Sequence, residues 1–517
     1  MRRLQRKGIV VLGRALEQRR GEDWRAQKEE AGADQSSPAT GHWPLVTRPL
    51  WMALLLALAL PQVAAPQIDA TRQLAHDIFK QLIEINTTDS VGSTTVAAKA
   101  MAQRLLDAGF PASDVRVLGP NDRKGNLVAR LHGTGAHRPI LLIGHVDVVE
   151  ARREDWSTDP FRFLEKDGYY YGRGTQDMKS GDAIWVMTLI RFKREGYQPD
   201  RDLILALTAD EEGGQSNGVH WLLENHRDLI DAEFVLNADG GGVDMVHGKP
   251  LIVDVDATEK LYADFELTVT NPGGHSSLPV PDNAIYHLAD GLARLERYQF
   301  PFELNAVTRA FFERTAGVES GQTASDMRAI LRDPPDAGAI ARLSADPIWN
   351  ATLRTTCVAT RLDAGHANNA LPAMARANVN CRILPGHTRN EVRETLVKIM
   401  ADPKIEVRYL PTTSAPTLEA DARQLPPVAL RPDVMQALER VAGEMWPGTP
   451  VVPSMSAGAS DGVYTNAAGM PTYGISGLAI DTDDVRAHGK DERLGVESYY
   501  RGVDFYYRYL KALTGGT

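Results

Sequence analysis

The order of apolar and polar positions after residue 67 predicts alternating strands and helices. Three short apolar runs, at residues 139–143, 203–208 and 234–237, are typical of buried strands. An apolar helix is expected between the first two, at about 183–194, and another after the second, at about 218–225. Such alternation is typical of an α/β domain. We therefore expect a mainly parallel central sheet with helices on both faces.

A second pattern begins at residue 261. Strict alternation over residues 261–270 indicates a half-buried strand, and a helix is expected at 283–298. Further strands are expected at 352–362, 375–384 and 405–410, with a helix at 390–400. This order suits an inserted α+β domain, here called the lid. The segment at 300–350 is helical in pattern and carries no assigned function.

These patterns divide the chain into three parts. Residues 1–67 form a leader, residues 68–260 and 413–517 form the main domain, and residues 261–412 form the lid.

The composition narrows the class of protein. Of 517 residues 43% are apolar and only two are Cys, which excludes disordered and disulfide-scaffold proteins. The net charge of -10 argues against nucleic acid as a partner, because phosphate binding needs clustered Lys and Arg.

The leader contains a signal-like segment at about residues 48–65. Arg48 precedes the apolar run Trp51-Met-Ala-Leu-Leu-Leu-Ala-Leu-Ala-Leu60, and small residues follow it. This is the pattern of a secretory signal, and the run is too short for a membrane span, which needs about 20 residues. We therefore expect export to the periplasm or outside the cell, no stable span after signal removal, and a start of translation downstream of Met1.

Metal-binding side chains follow each of the three buried strands. His145-Val-Asp147 follows the first, Glu211-Glu212 the second, and Asp239 the third. Ligands gather beyond the carboxyl ends of parallel strands, so these side chains are expected at one edge of the sheet. A single acid after a strand is more often a helix cap or a solvated turn, but three in succession make that explanation poor.

Two further residues belong to the same set. Asp177 stands in a Gly-rich loop before a helix, where an N-cap residue is the simpler interpretation. His488 precedes the final helix, where an exposed surface histidine is the simpler interpretation. Imidazole and carboxylate ligands together suit zinc, and two zinc ions can share a bridging Asp.

Four motifs give the chain a resemblance to the M20 family of dizinc peptidases and deacylases. They are Gly144-His-Val-Asp-Val-Val149, Gly172-Arg-Gly-Thr-Gln-Asp-Met-Lys179, Thr208-Ala-Asp-Glu-Glu-Gly213 and His488-Gly-Lys-Asp-Glu-Arg493. The resemblance covers about residues 70–510, in the family's order. Where the family usually has Lys-Gly, this chain has Lys179-Ser180-Gly181.

The resemblance implies a role for each site residue. One zinc would take His145, Asp177 and Asp239, and the other Asp177, Glu212 and His488; Co²⁺ and Mn²⁺ are alternatives. Asp147 would support His145, and Glu211 would be the general base for a metal-bridging water.

The resemblance also implies functions for the lid. His275, after Pro272-Gly-Gly, would stabilise the oxyanion, and in dimeric relatives it does so in the partner's site. Asn369 and Arg382 match lid motifs that hold a substrate carboxylate, although an Arg there is also explained by a surface salt bridge. A homodimer through the lid follows from the same resemblance.

The functional expectation is zinc-dependent hydrolysis of an amide bond next to a free carboxylate, as a carboxypeptidase or dipeptidase. The alternatives are an N-acyl-amino-acid deacylase and, in a different class, a non-catalytic zinc- or ligand-binding module. The substrate would be a small peptide or N-acyl amino acid.

Cys357 and Cys381 flank the turn near Asn369 at nearly equal distances. They could face each other across a hairpin, and an exported protein permits a disulfide. Two buried free thiols are the favoured expectation.

Overall fold

A computed structural model describes residues 70–411, 415–420, 425–426 and 429–515. The signal-like segment at residues 48–65 lies outside these ranges. None of the helices in them combines the length and apolarity needed to cross a bilayer.

The main domain holds a large mixed sheet. Its strands are β1 (Val115–Leu118), β2 (Asn126–Leu131), β3 (Ile140–His145), β6 (Leu203–Thr208), β7 (Phe234–Asn237), β8 (Gly242–Val246), β9 (Lys249–Glu259), β16 (Val451–Ser456), β17 (Thr472–Gly474) and β18 (Ala479–Asp481). The order is β1-β2-β6-β3-β7-β17-β9-β8-β18, and β16 pairs with β9. At the centre β3 is parallel to β6 and β7, and β7 is parallel to β17. This confirms the predicted parallel core.

Helices cover both faces of this sheet. They are α1 (Ala70–Glu84), α2 (Thr94–Asp107), α3 (Lys179–Glu195), α4 (Gly218–Asn225), α5 (Arg227–Ile230), α12 (Pro432–Met445), α13 (Gly462–Ala467) and α14 (Val496–Thr514). Alternate residues of β3 enter two different cores: Leu142 packs in the larger one with Trp185, and Leu141 in the smaller one with Leu222. Burial on both faces explains why the strand is continuously apolar.

The lid is an antiparallel sheet with helices on one face. Its elements are β10 (Leu261–Thr270), β11 (Gly274–His275), α6 (Ala284–Arg297), β12 (Thr356–Ala364), β13 (Ala370–Leu371), β14 (Met374–Ile383), α11 (Arg389–Met400) and β15 (Glu406–Leu410). The sheet order is β12-β14-β10-β15, with β12 at an edge. Phe265 of the sheet packs with Leu288 and Leu396 of the helices, which confirms the alternation predicted for residues 261–270.

The segment without an assigned function folds into four helices, here called the helical insert. They are α7 (Ala306–Val318), α8 (Gly321–Ala329), α9 (Ala337–Ser344) and α10 (Pro347–Leu353). The insert has its own core, and Phe311 and Val318 also pack against Leu251, Ile252 and Val452 of the large sheet. Although it lies within the stretch 261–412, the insert therefore contacts the main domain directly.

The remaining strands tie the metal-binding loops together. They are β4 (Leu164–Lys166), β5 (Tyr169–Tyr171) and β19 (Arg493–Gly495), which form a small antiparallel sheet.

The expectation of two free thiols is wrong. Cys357 on β12 and Cys381 on β14 form a disulfide. The hairpin register places the two residues directly opposite each other, with Cα atoms 4.1 Å apart. The nearly equal spacing of the two cysteines about the turn is compatible with a disulfide, but only the register of β12 and β14 shows that they face each other.

Candidate metal centre and active site

The predicted metal-binding residues come together at one edge of the large sheet. His145 is the last residue of β3, and the loops after the parallel strands β6 and β7 carry Glu211-Glu212 and Asp239. Asp177 arrives from the loop before α3, and His488 from the loop between β18 and β19. We call these six residues the metal cluster.

Asp177 lies between the two histidines. Its Oδ1 is 3.3 Å from Nε2 of His145, and its Oδ2 is 3.3 Å from Nε2 of His488. Glu212 Oε1 is 2.7 Å from His488 Nε2, and Asp239 Oδ2 is 3.9 Å from His145 Nε2. One carboxylate thus offers an oxygen to each half of the cluster, as a bridging ligand does.

The donor atoms fit divalent metal ions. His145 Nε2 is buried and has no hydrogen-bond partner, so it presents a free lone pair or an unused proton to the carboxylates. Ligand atoms of His145, Asp177 and Glu212 lie within 4.8 Å of one another, as do those of His145, Glu211 and Asp239. Imidazole and carboxylate donors at this density suit a dinuclear site.

Glu211 is as close to His145 as Asp239 is. Its Oε2 lies 4.0 Å from His145 Nε2, and the side chain is mostly buried. The assignment of Glu211 as base and Asp239 as ligand therefore rests on the resemblance.

Asp147 supports the cluster in a different way from the one expected. His145 Nδ1 lies 3.1 Å from the backbone carbonyl of Asp147 and 3.8 Å from its carboxylate. A bond to that carbonyl makes Nδ1 the donor and leaves Nε2 for a metal. The Asp147 carboxylate instead accepts the backbone N–H groups of Glu211 and Glu212, at 3.2 and 3.0 Å. It fixes the turn that carries both glutamates.

Burial and mutual repulsion set the electrostatics. Burial raises the pKa of Asp147 to about 6, and burial with the nearby carboxylates raises the pKa of Glu211 well above its usual range. Hydrogen bonds that His488 donates to the carboxylates of Asp177 and Glu212 raise its pKa to about 10. Acids this close favour any bound positive charge, whether a proton or a metal ion.

Glu492 organises the loop that carries Asp177, and sequence reasoning assigned it no role. It is fully buried, and its carboxylate accepts the backbone N–H groups of Gln176 and Asp177 at 2.6 and 3.1 Å. Arg173 donates to it at 2.7 Å. Its place in the motif after His488 was a signal, but an Asp-Glu-Arg run also suits an exposed turn.

Asp461 is a second buried acid that the sequence did not single out. It accepts from Thr208 Oγ1 at 3.1 Å and from Asn217 Nδ2 at 2.6 Å. It therefore joins the end of β6 to the loop after β16, beneath the glutamate turn.

The structure places none of the three lid candidates among the described residues that line the cleft at the metal cluster. His275 is exposed, and its Nδ1 lies 2.7 Å from Ser277 Oγ. His275 pairs with Ala370 in the β11–β13 ladder, and Ser276 N–H donates to the carbonyl of Asn369, so His275 and Asn369 are neighbours. Arg382 lies on β14, with its guanidinium 4.7 Å from the ring centre of Tyr262.

The metal cluster opens into a cleft of about 850 Å³. Beyond the cluster its wall is mostly polar or small, with Asp256, Thr258, Glu259, Ser456, Gly458, Ala459, Ser460, Asn466, Thr472 and Val485 among the described lining residues. A wall of this kind suits a ligand that is itself polar.

Comparison with known proteins agrees with this geometry. A family model described as Peptidase family M20/M25/M40 matches residues 141–512. The N-fatty-acyl-amino acid synthase/hydrolase PM20D1 of Xenopus tropicalis is 29% identical over 72% of each chain. A probable carboxypeptidase S-like 2 of Dictyostelium discoideum is 28% identical over 72% of this chain and 71% of its own.

A solved structure shares the fold. The M20 family metallo-carboxypeptidase Sso-CP2 of Sulfolobus solfataricus superposes with a TM-score of 0.61 at 17% identity, covering 85% of this chain and 99% of its own.

Proposed function

This chain belongs to peptidase family M20/M25/M40 and is a metal-dependent hydrolase of amide bonds, and we propose that it removes the C-terminal residue of small peptides at a two-zinc site. The observation that carries the proposal is the pair of histidines joined by Asp177, beside a glutamate held on a fixed turn. A non-catalytic binding module would not need Glu211 in addition to the metal-binding Glu212.

The ligands in this proposal are those implied by the family pattern. His145, Asp177 and Asp239 would hold one metal ion, and Asp177, Glu212 and His488 the other. Metal ions in such a site polarise a scissile carbonyl and lower the pKa of water.

The chain's own residues supply proton transfer and orientation. Glu211 takes a proton from the attacking water and delivers it to the leaving amine nitrogen. Asp147 holds the glutamate turn through two backbone N–H groups, so the carboxylate of Glu211 meets the substrate already oriented.

The lid would complete the site. His275 donates a hydrogen bond to the oxyanion as charge develops on the carbonyl oxygen. Asn369, its neighbour in the ladder, and Arg382 bind the substrate beyond the scissile bond. The exposure of His275 suits a role in the cleft of a partner subunit, in a homodimer formed through the lid.

The nature of the cleft favours a peptide. Thr258, Ser460 and Asn466 can bond a peptide backbone, whereas a long fatty acyl chain needs an apolar wall. The names of the PM20D1 relatives support the second candidate, hydrolysis of N-fatty-acyl amino acids.

A substrate panel separates the two candidates. We expect the zinc-loaded protein to cleave free-acid dipeptides and N-blocked dipeptides faster than N-oleoyl amino acids of the same C-terminal residue. Faster cleavage of the oleoyl compounds would select the second candidate, and cleavage of neither would contradict both.

Export is part of the proposal. The Cys357–Cys381 disulfide is typical of oxidising compartments, and it agrees with the signal-like pattern at residues 48–65. N-terminal sequencing of the mature protein should start after that segment; an intact Met1 would contradict export by this signal.

A further inference from the structure

Two buried cations and one half-buried cation meet where the main domain, the helical insert and the lid join. Lys260 is the single residue between β9 and β10, here called the hinge, and Arg354 directly follows the last helix of the insert. Arg382 pairs with Tyr262 on one side and Thr356 on the other. Because side chains two residues apart share a face, the three cations lie on one face of the lid sheet. We call them the cation trio.

Within the described part of the chain, the cation trio forms no salt bridge. Lys260 is fully buried and donates to the carbonyl of Arg354 at 2.6 Å. Arg354 is 4% exposed and donates only to neutral groups, Gln299 Oε1 at 3.0 Å and Ser344 Oγ at 2.9 Å. Each of these partners is a dipole and leaves the charge uncompensated.

The nearest acid is already engaged. Asp264 is the carboxylate whose charge reaches Arg382, and its Oδ1 accepts from Asn378 and Asn380, each at 2.9 Å. Arg382 itself lies over the Tyr262 ring. Its Nη1 is buried without a hydrogen-bond partner, as is Nε of Arg354.

Without an opposite charge nearby, the cation trio costs free energy in the folded state. Burial of a charge is tolerated in proteins when an opposite charge or a full set of hydrogen bonds accompanies it. Burial, followed by repulsion from Arg382 and Arg354, lowers the pKa of Lys260 to about 7, so an anion nearby would restore its charge. An anion on this face would accept from the two N–H groups that lack acceptors and would also compensate the three positive charges.

We propose that Lys260, Arg354 and Arg382 form an anion-binding site that takes a carboxylate or a small inorganic anion. The family resemblance predicts only Arg382 as a ligand for a carboxylate. The part of Lys260 and Arg354 in this site is inferred from the structure. Glu259, next to Lys260, lines the cleft, so the site lies close behind the cleft wall. A bound anion would connect the hinge, the insert and the lid sheet. Its source is either the substrate's own carboxylate or a free anion.

The first test measures thermal stability without any substrate. The melting temperature of the wild type, Lys260→Met and Lys260→Gln is followed against sodium chloride and sodium acetate, and general salt effects cancel in the differences. At the lowest salt we expect both variants to be at least as stable as the wild type, because a buried charge is removed. Added anion should raise the wild-type value by about 2 °C or more beyond either variant.

Lys166→Met is the matched control, since Lys166 is exposed on β4; it should respond to anions like the wild type. If Lys260 only bonds the Arg354 carbonyl, Lys260→Met would be less stable by a constant amount at every salt concentration, and Lys260→Gln would restore part of the loss. That result would overturn the proposal.

The second test identifies the source of the anion and rests on the proposed function. Hydrolysis of a free-acid dipeptide is compared with that of its C-terminal amide. If the substrate carboxylate occupies the site, Lys260→Met raises KM for the acid by about tenfold and leaves the amide unchanged. Equal effects on both substrates, with the anion-dependent stability intact, identify a free anion. If the wild type cleaves neither substrate, the proposed function fails while the stability test still decides the anion site.

Discussion

At the scale of single residues, the two adjacent glutamates have separable duties. The Glu211 and Glu212 N–H groups share one acceptor, Asp147, yet Glu212 pairs with His488 while Glu211 faces His145. Neighbouring residues on a tight turn diverge, so one carboxylate can bind metal while the other transfers protons. This divergence makes the division of roles testable by substitution.

Glu211→Gln should retain metal and lose turnover. Removal of a general base typically lowers kcat by about 10²–10⁴, and the amide keeps the size of the side chain. Metal content and kcat are measured on the same preparation. Glu212→Gln is the matched control and should lose metal instead; the opposite outcome, with metal lost in the first variant only, would reverse the two assignments.

Glu492→Gln should weaken metal binding although the residue is no ligand. The glutamine amide cannot accept the N–H groups of Gln176 and Asp177 and the Arg173 guanidinium at both ends as the carboxylate does. Supporting groups of this kind are worth about 10–100-fold in metal affinity. A chelator competition titration measures this, and an unchanged affinity would mean that the loop holds Asp177 in place without Glu492.

Among the secondary-structure elements, the central strands of the large sheet could be predicted from the sequence because they are buried on both faces. Residues 203–208 and 234–237 were predicted with their observed bounds, because a continuous apolar run between turn residues has few alternatives. Strands β8, β9, β16, β17 and β18 were not predicted, since their pairing depends on partners up to about 240 residues away.

The same distinction holds for the site. Residues that end a buried strand, such as His145, were found from position alone, and the family motif gave His488 its expected metal ion. Glu492 and Asp461 were missed because an acid is recognised as buried only when its N–H or hydroxyl donors are known. Register was equally decisive for Cys357 and Cys381.

The β11–β13 ladder carries the lid's catalytic candidate. His275→Ala should fold normally, keep its metal and be nearly inactive, because the residue is exposed and its donor acts only when charge develops on the carbonyl oxygen. We expect kcat to fall by roughly 10²–10³ with KM little changed. A comparable rise in KM alone would instead assign His275 to substrate binding.

At the scale of the whole molecule, the lid has an exposed edge. Strand β12 ends the lid sheet, and Val358 and Leu362 are 60% and 67% exposed on it. An open edge with apolar side chains is suited to pairing with another chain. The Cys357–Cys381 disulfide joins this strand to β14 on its other side, which keeps the edge formed.

The proposed dimer predicts rescue in trans. Glu211→Gln mixed with His275→Ala should regain activity after exchange of subunits, because a mixed dimer holds one site with both groups intact. Co-purification through an affinity tag on one variant shows whether the mixed dimer forms. The double substitution Val358→Lys/Leu362→Lys should abolish both dimer and rescue. A verified mixed dimer without rescue would place His275 in its own chain's site.

A pair of metal ions at the His145–Asp177–His488 cluster is proposed to make this chain an amide hydrolase. The most direct measurement is a zinc titration of chelator-stripped protein, with bound metal and hydrolysis of a free-acid dipeptide followed together. We predict no turnover without metal and activity that rises until two equivalents are bound. Full turnover by the metal-free protein, or saturated zinc binding with no hydrolysis of any peptide or N-acyl amino acid, would rule out a metal-dependent amide hydrolase.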